Sequence, residues 1–146
     1  MNTTSLKHII RAILILLLQV LVLKRIGLST SWLWQYGDIF LYPVIVLLLP
    51  FRISRHYAIL IGFVIGLIID MFYDTIGVHA FALTATAYAR GLLLAYLEPR
   101  GGYQLSMSPT IFSMGLNWVM TFTVFSLLIH TFLYFTAEIF TFVYIG

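Results

Sequence analysis

Cysteine is missing from the chain altogether, and charge is scarce: Asp, Glu, Lys and Arg together make up 9% of its 146 residues. The first absence removes disulfides, thiolate nucleophiles and cysteine-bound zinc. The second is foreign to a soluble domain, where about a quarter of the residues are charged. Signatures of chemistry are missing too. There is no GxSxG, HExxH, phosphate-binding loop or Ser/Lys pair, and two acids four residues apart make no acid/base pair without a substrate pocket. No catalytic residue, cofactor or metal is therefore expected. The net charge of +3 is small, and in an apolar chain basic residues set topology, so nucleic-acid binding is not expected either.

What the chain does have is apolar surface, with hydrophobic types at 62%. A globule this small leaves much of its area outside, so it cannot hide that surface from water, whereas a bilayer can. Backbone groups find no water partner in hydrocarbon, which leaves helices or a closed barrel. A barrel needs alternation of polar and apolar positions, and the runs 13–18 and 44–49 do not alternate. The expected fold is all-α: a polytopic helical membrane protein with five full transmembrane helices and the start of a sixth, in a single domain.

Breakers and charges place those helices at about residues 9–28, 39–51, 57–73, 78–97 and 110–135, with a partial helix over 139–146 cut short. Lys7, His8 and Arg11 precede the first apolar run, and Lys24 and Arg25 follow it, ready to snorkel to the far interface. No convincing small-residue cleavage site follows, so an uncleaved anchor is expected. Trp32, Trp34 and Tyr36 suit the headgroup layer, and Asp38 is placed to cap the second helix. Pro43 lies near that helix's start and Pro50 near its end. Glu98, Pro99, Arg100, Gly101 and Gly102 end the fourth helix. An inside N-terminus gathers Lys7, Arg11, Arg52, Arg55 and Arg100 on one side and leaves Lys24 and Arg25 on the other. The positive-inside rule thus favours a cytoplasmic N-terminus.

The third and fourth helices carry most of the polar information. Gly62, Gly66, Asp70 and Asp74 share one four-residue spacing, and Ala80, Thr84, Ala87, Gly91 and Ala95 make a facing stripe of small residues. Small residues let helix backbones approach in lipid, so a tight antiparallel hairpin is expected. Asp70 and His79 lie equally far from its turn and are placed to pair. Ionisable groups in a membrane are costly and mark functional candidates, so Asp70, Asp74, His79 and Arg90 are the expected buried polar residues. Arg90 counts back to the level of Ile59, too far from Asp70 to meet it, and is expected to snorkel, to bond backbone carbonyls or to meet another helix or chain. Ser113, Asn117 and Thr121 form a polar stripe on the fifth helix. With Gly62, Gly66, Thr84 and Gly91 they are the expected packing or partner interface. His130 is expected at the outer interface.

Three segments together resemble a known family. They are Leu47-Leu48-Leu49-Pro50-Phe51, Gly66-Leu67-Ile68-Ile69-Asp70-Met71-Phe72 and Gly77-Val78-His79-Ala80. Their order, after a basic start and an apolar anchor, resembles MreD, the rod shape-determining membrane protein family, from about residue 7 to residue 135. Two features depart from that pattern: Asp38 with a later Pro43 stands where Asn-Pro is usual, and no basic tail follows the last helix. The resemblance implies a non-enzymatic scaffold of the elongation complex in the bacterial inner membrane. Such a scaffold controls cell shape through lateral peptidoglycan synthesis, with MreC as the direct partner. RodA, a class B penicillin-binding protein and the actin-like MreB are further members of that complex. It also implies a fold similar to the substrate-binding subunits of vitamin transporters. That likeness supplies the alternative expectation: a small-molecule-binding transporter subunit whose outward pocket is lined by Asp70, Asp74, His79 and Asn117.

Overall fold

The computed structural model describes residues 3–23 and 41–141, and every regular element among them is helical. Among the described residues, four helices are long and apolar enough to cross a membrane: Ser5–Val22, Arg55–Tyr73, Val78–Tyr96 and Leu116–Phe140. This is compatible with a multi-pass membrane protein. The chain divides into two compact units, Met1–Ile45 and Val46–Gly146.

In the first unit, α1 (Thr3–Leu17) continues as a π-helical turn, Leu18–Leu23. Ile9, Ile10, Ile13, Leu14, Leu17 and Leu21 are all exposed along it, which suits a segment solvated by lipid. Its one amide side chain, Gln19, is buried and accepts the Leu41 N–H through Oε1 at 2.7 Å. Lys24, Arg25, the aromatics at 32, 34 and 36, Asp38 and the tail 142–146 lie outside the described residues. So do the ends of the expected 9–28 and 139–146 helices.

The expected second spanning helix, 39–51, is not one in the part described. Only α2, Pro43–Leu47, is helical there, about one and a half turns and too short to cross. Proline fits a first helical position because that N–H has no partner anyway. The bonds that follow are tight steps of three residues, Val44 N–H to Leu41 O at 3.1 Å and Leu49 N–H to Val46 O at 3.3 Å. Pro50 then has no N–H with which to continue.

The second unit is built on α3 (Arg55–Tyr73), α4 (Val78–Tyr96) and α6 (Leu116–Phe140). Each of α3 and α4 has 19 residues, or about 28 Å of rise, close to the roughly 30 Å of a hydrocarbon core. Helix α4 packs against both α3 and α6. The α3–α4 hairpin closes through Asp74, which ends α3 in the left-handed region at φ 54°, and Gly77, which opens α4 at φ 78°.

Close approach of α3 and α4 rests on the expected glycines. A methyl on Gly66 would meet Ala80 N at 2.7 Å and His79 O at 2.8 Å. Those are backbone atoms that cannot step aside. At Gly62 it would meet Leu83 O at 3.0 Å.

The expected fifth helix, 110–135, is two elements. Helix α5 (Ile111–Met114) ends at Gly115, whose φ of 85° and ψ of 159° suit glycine alone, and α6 begins directly after it. Ser113 closes the short turn, accepting the Thr110 N–H at 3.1 Å and donating to Ser108 O at 2.6 Å. It is a cap rather than part of a packing stripe. Phe125, Leu128 and Phe132 face outward from α6, as Leu60, Phe63 and Leu67 do from α3. An apolar exterior over a small, polar-flecked interior is the arrangement that lipid stabilises.

Gly66→Ala is expected to lower stability by about 1–3 kcal/mol through overpacking against backbone. Gly101→Ala, whose added methyl meets nothing within 4 Å, should stay within about 0.5 kcal/mol. Equilibrium unfolding of the two variants in detergent micelles measures the difference.

Candidate functional site

Helix α4 begins without a cap of its own, because Gly77 has no side chain to accept its first N–H groups. Asp70, one turn before the end of α3, supplies the acceptor. Its Oδ1 takes the His79 N–H at 2.9 Å and its Oδ2 the Ala80 N–H at 3.0 Å. These are the second and third residues of the helix, the donors an N-cap side chain normally satisfies. A negative charge also belongs at that end of the helix dipole. Oδ1 further accepts the Thr75 hydroxyl at 2.5 Å and contacts His79 Nδ1 at 2.9 Å. Asp70 and His79 are 4% and 1% exposed, so this pair, placed by equal distance from the turn, sits inside the bundle. Asp74 does not join it. Its side chain is exposed and its backbone terminates the helix, since the left-handed turn rotates it out of the α3 stripe.

His79 faces α6 as well. Its ring lies 5.2 Å from Tyr73 on one side and 5.2 Å from Tyr134 on the other. One turn before Tyr134 on α6, His130 is 1% exposed and meets Thr86 Oγ1 through Nδ1 at 2.9 Å. Thr86 donates to Ala82 O at 2.7 Å, so its oxygen is left to accept from the imidazole. The expectation of an interfacial His130 is thus overturned: the α4–α6 packing buries it.

The face that α6 buries is Phe122, Ser126, His130 and Tyr134. Asn117 and Thr121, expected to form the packing stripe, are exposed, and the Thr121 hydroxyl returns to Asn117 O at 2.9 Å. The true stripe has the same four-residue period, displaced by one residue and hence by about 100° around the helix. The spacing of Phe122, Ser126, His130 and Tyr134 was the signal that would have found it.

The other end of α4 holds Arg90, 3% exposed. Its Nη2 donates to Leu49 O at 2.5 Å, the backbone-carbonyl outcome among those expected. Around it, aromatic rings seal the helix end. Phe51 stacks on Tyr103 at 4.4 Å, and Trp118 stands edge-on to Tyr103 at 5.9 Å and stacks on Phe122 at 5.1 Å. Tyr103 Oη donates to Leu94 O at 2.5 Å, and Trp118 Nε1 to Leu97 O at 2.8 Å. The last carbonyls of a helix have no partner within it, and these two rings provide one. Burial, with the Glu98 carboxylate second, pushes the Tyr103 phenol up to about 12 despite the opposing Arg90 charge, so it stays neutral and keeps its donor. Two backbone bonds, Phe51 N–H to Met107 O and Arg52 N–H to Leu105 O, each 3.0 Å, hold the segment that covers Arg90.

Gly62 and Gly66 therefore pack where expected, and Gly91 lets the Arg55 side chain lie across α4. Thr84 is half-buried, its hydroxyl donated to Ala80 O at 2.5 Å. Asp70, Asp74, His79 and Asn117 do not line a common pocket. Among the described residues no cluster of three His, Cys, Asp or Glu is arranged to hold a metal ion. Comparison with family models, curated proteins and solved structures finds no match.

Asp70→Ala is expected to orphan the His79 and Ala80 N–H groups inside the bundle, at about 1–3 kcal/mol for each. Asp74→Asn, at an exposed position whose left-handed backbone asparagine tolerates, should be nearly neutral. Thermal unfolding in detergent compares them. Equal losses from the two would contradict the capping role.

Proposed function

We propose that the chain is a non-enzymatic helical scaffold of the bacterial elongation complex. On this reading it lies in the cytoplasmic membrane with its N-terminus inside. It binds MreC and, with RodA, a class B penicillin-binding protein and MreB, directs lateral peptidoglycan synthesis and cell shape. The reading starts from the resemblance to MreD and gains support from what the resembling residues do. Leu49 of the first segment gives its carbonyl to Arg90. Gly66 of the second lies against Ala80 of the third, and Asp70 of the second caps the helix that the third begins. The residues that carry the resemblance thus tie separate elements of the chain together.

The observation that carries the proposal is how the buried polar groups are used. Asp70, Thr86, His130 and Arg90 bond to one another's helices or to backbone. Side chains committed in this way fix a shape, and a fixed shape is what a scaffold offers a partner. The arrangement gives the transporter alternative no comparable support, because its four residues are divided between buried and exposed positions.

Co-expression with an MreC-like protein, followed by purification in mild detergent, is expected to recover the two together in equal amounts. The isolated chain is expected to turn over no lipid-linked cell-wall precursor. Separation of the two both in mild detergent and after cross-linking in intact membranes would contradict the proposal, and so would thermal stabilisation by a vitamin.

A further inference from the structure

On the side of α4 turned away from Thr86 and α6, the hairpin leaves an open groove of about 570 Å³. Ile59, Phe63 and Leu67 form one wall, and Phe81, Ala85 and Tyr88 belong to the other. Beyond Gly77 the groove follows the first eleven residues of α4, to Tyr88, about 16 Å of rise. Its lining is carbon apart from the hydroxyls of Thr84 and Tyr88, and Thr84 has already given its proton to Ala80 O.

A cation stands at the Tyr88 end. Arg55 is exposed at the start of α3, and its guanidinium carbon lies 5.3 Å from the centre of the Tyr88 ring. The stem reaches that ring by crossing Gly91, where a methyl would come within 2.8 Å of Arg55 Nε. Glycine at 91 thus lets the arginine lie flat, and the aromatic face holds its charge. Arg52 and His56 are exposed beside it, and no acidic residue occurs between Pro50 and Ile69. Glu98, which follows α4 at that end of the hairpin, acts on Tyr103.

We infer that this groove binds one acyl chain of an anionic phospholipid, with the lipid phosphate on Arg55. Charge complementarity selects the occupant. A carbon-lined channel that ends in a positioned cation matches a molecule with a long apolar chain and a negative head. A partner helix would bring its own ridges to the groove and would need an acid of its own at the level of Arg55.

The test uses the full chain in nanodiscs of equal parts phosphatidylglycerol and phosphatidylcholine, with native mass spectrometry of the lipid that leaves with the protein. One positioned basic residue is worth roughly a fivefold preference for the anionic lipid. Arg55→Gln is expected to bring that ratio near one and to leave the total retained lipid unchanged. Ala85→Phe, which fills the groove, should lower retention of both lipids. Arg52→Gln should keep the preference. Three results would overturn the inference. They are no preference in the unaltered chain, a preference that survives Arg55→Gln, and disulfide dimers of Ala85→Cys in membranes. The last would place a second copy in the groove, and a chain without native cysteine makes it unambiguous.

Discussion

One carboxylate caps a helix that cannot cap itself. Asp70 reaches from the last turn of α3 to the first N–H groups of α4, and much else is arranged to let it. Gly66 brings the two backbones close enough, and Gly77 turns the chain without interposing a side chain. Thr75 and His79 hold the carboxylate from either side. In water an uncapped helix start is solvated at little cost. Inside a bundle in hydrocarbon no water replaces a lost acceptor, and each donor left unsatisfied costs about 1–3 kcal/mol, so the cap carries more weight.

The opposite end of α4 meets the converse problem, carbonyls without donors, and solves it with rings. Tyr103 and Trp118 donate to Leu94 and Leu97, while Arg90 donates to Leu49. Anion at the start and donors at the end follow the helix dipole. Between the two ends, Thr86 and His130 join α4 to α6. Helix α4 is thus tied at both ends and in the middle by polar bonds, while its neighbours turn apolar faces outward. Such bonds are modest singly in a membrane, about 0.6–2 kcal/mol. Their number and placement fix one packing of three helices, and that definite surface is what the proposed scaffold would present to its partners.

The hairpin was legible because its signal is local. Gly62, Gly66 and Asp70 repeat every four residues, and Asp70 and His79 stand symmetrically about a turn, so short-range geometry alone brings them together. Asp74 has the same spacing and fails, since the period ends where the backbone turns left-handed. The segment expected as a second spanning helix differs because apolar length is not helix length. Pro43 and Pro50 bracket the segment, and between them a few tight bonds replace a span. On α6 the polar period of Asn117 and Thr121 runs one residue out of phase with the buried face. Ser113 belongs before the break at Gly115, and a stripe counted across that break points away from the packed face. His130 and Arg90 depend on helices distant in sequence. Their burial could not be counted from one segment, although the restriction of Arg90 to partners other than Asp70 could.

Amide hydrogen exchange in lipid nanodiscs addresses the Asp70 cap most directly. The account predicts that the N–H groups of His79 and Ala80, though only in the first turn of α4, exchange as slowly as those in its middle. Exchange at those two positions as fast as at Ile76 and Gly77 would contradict it.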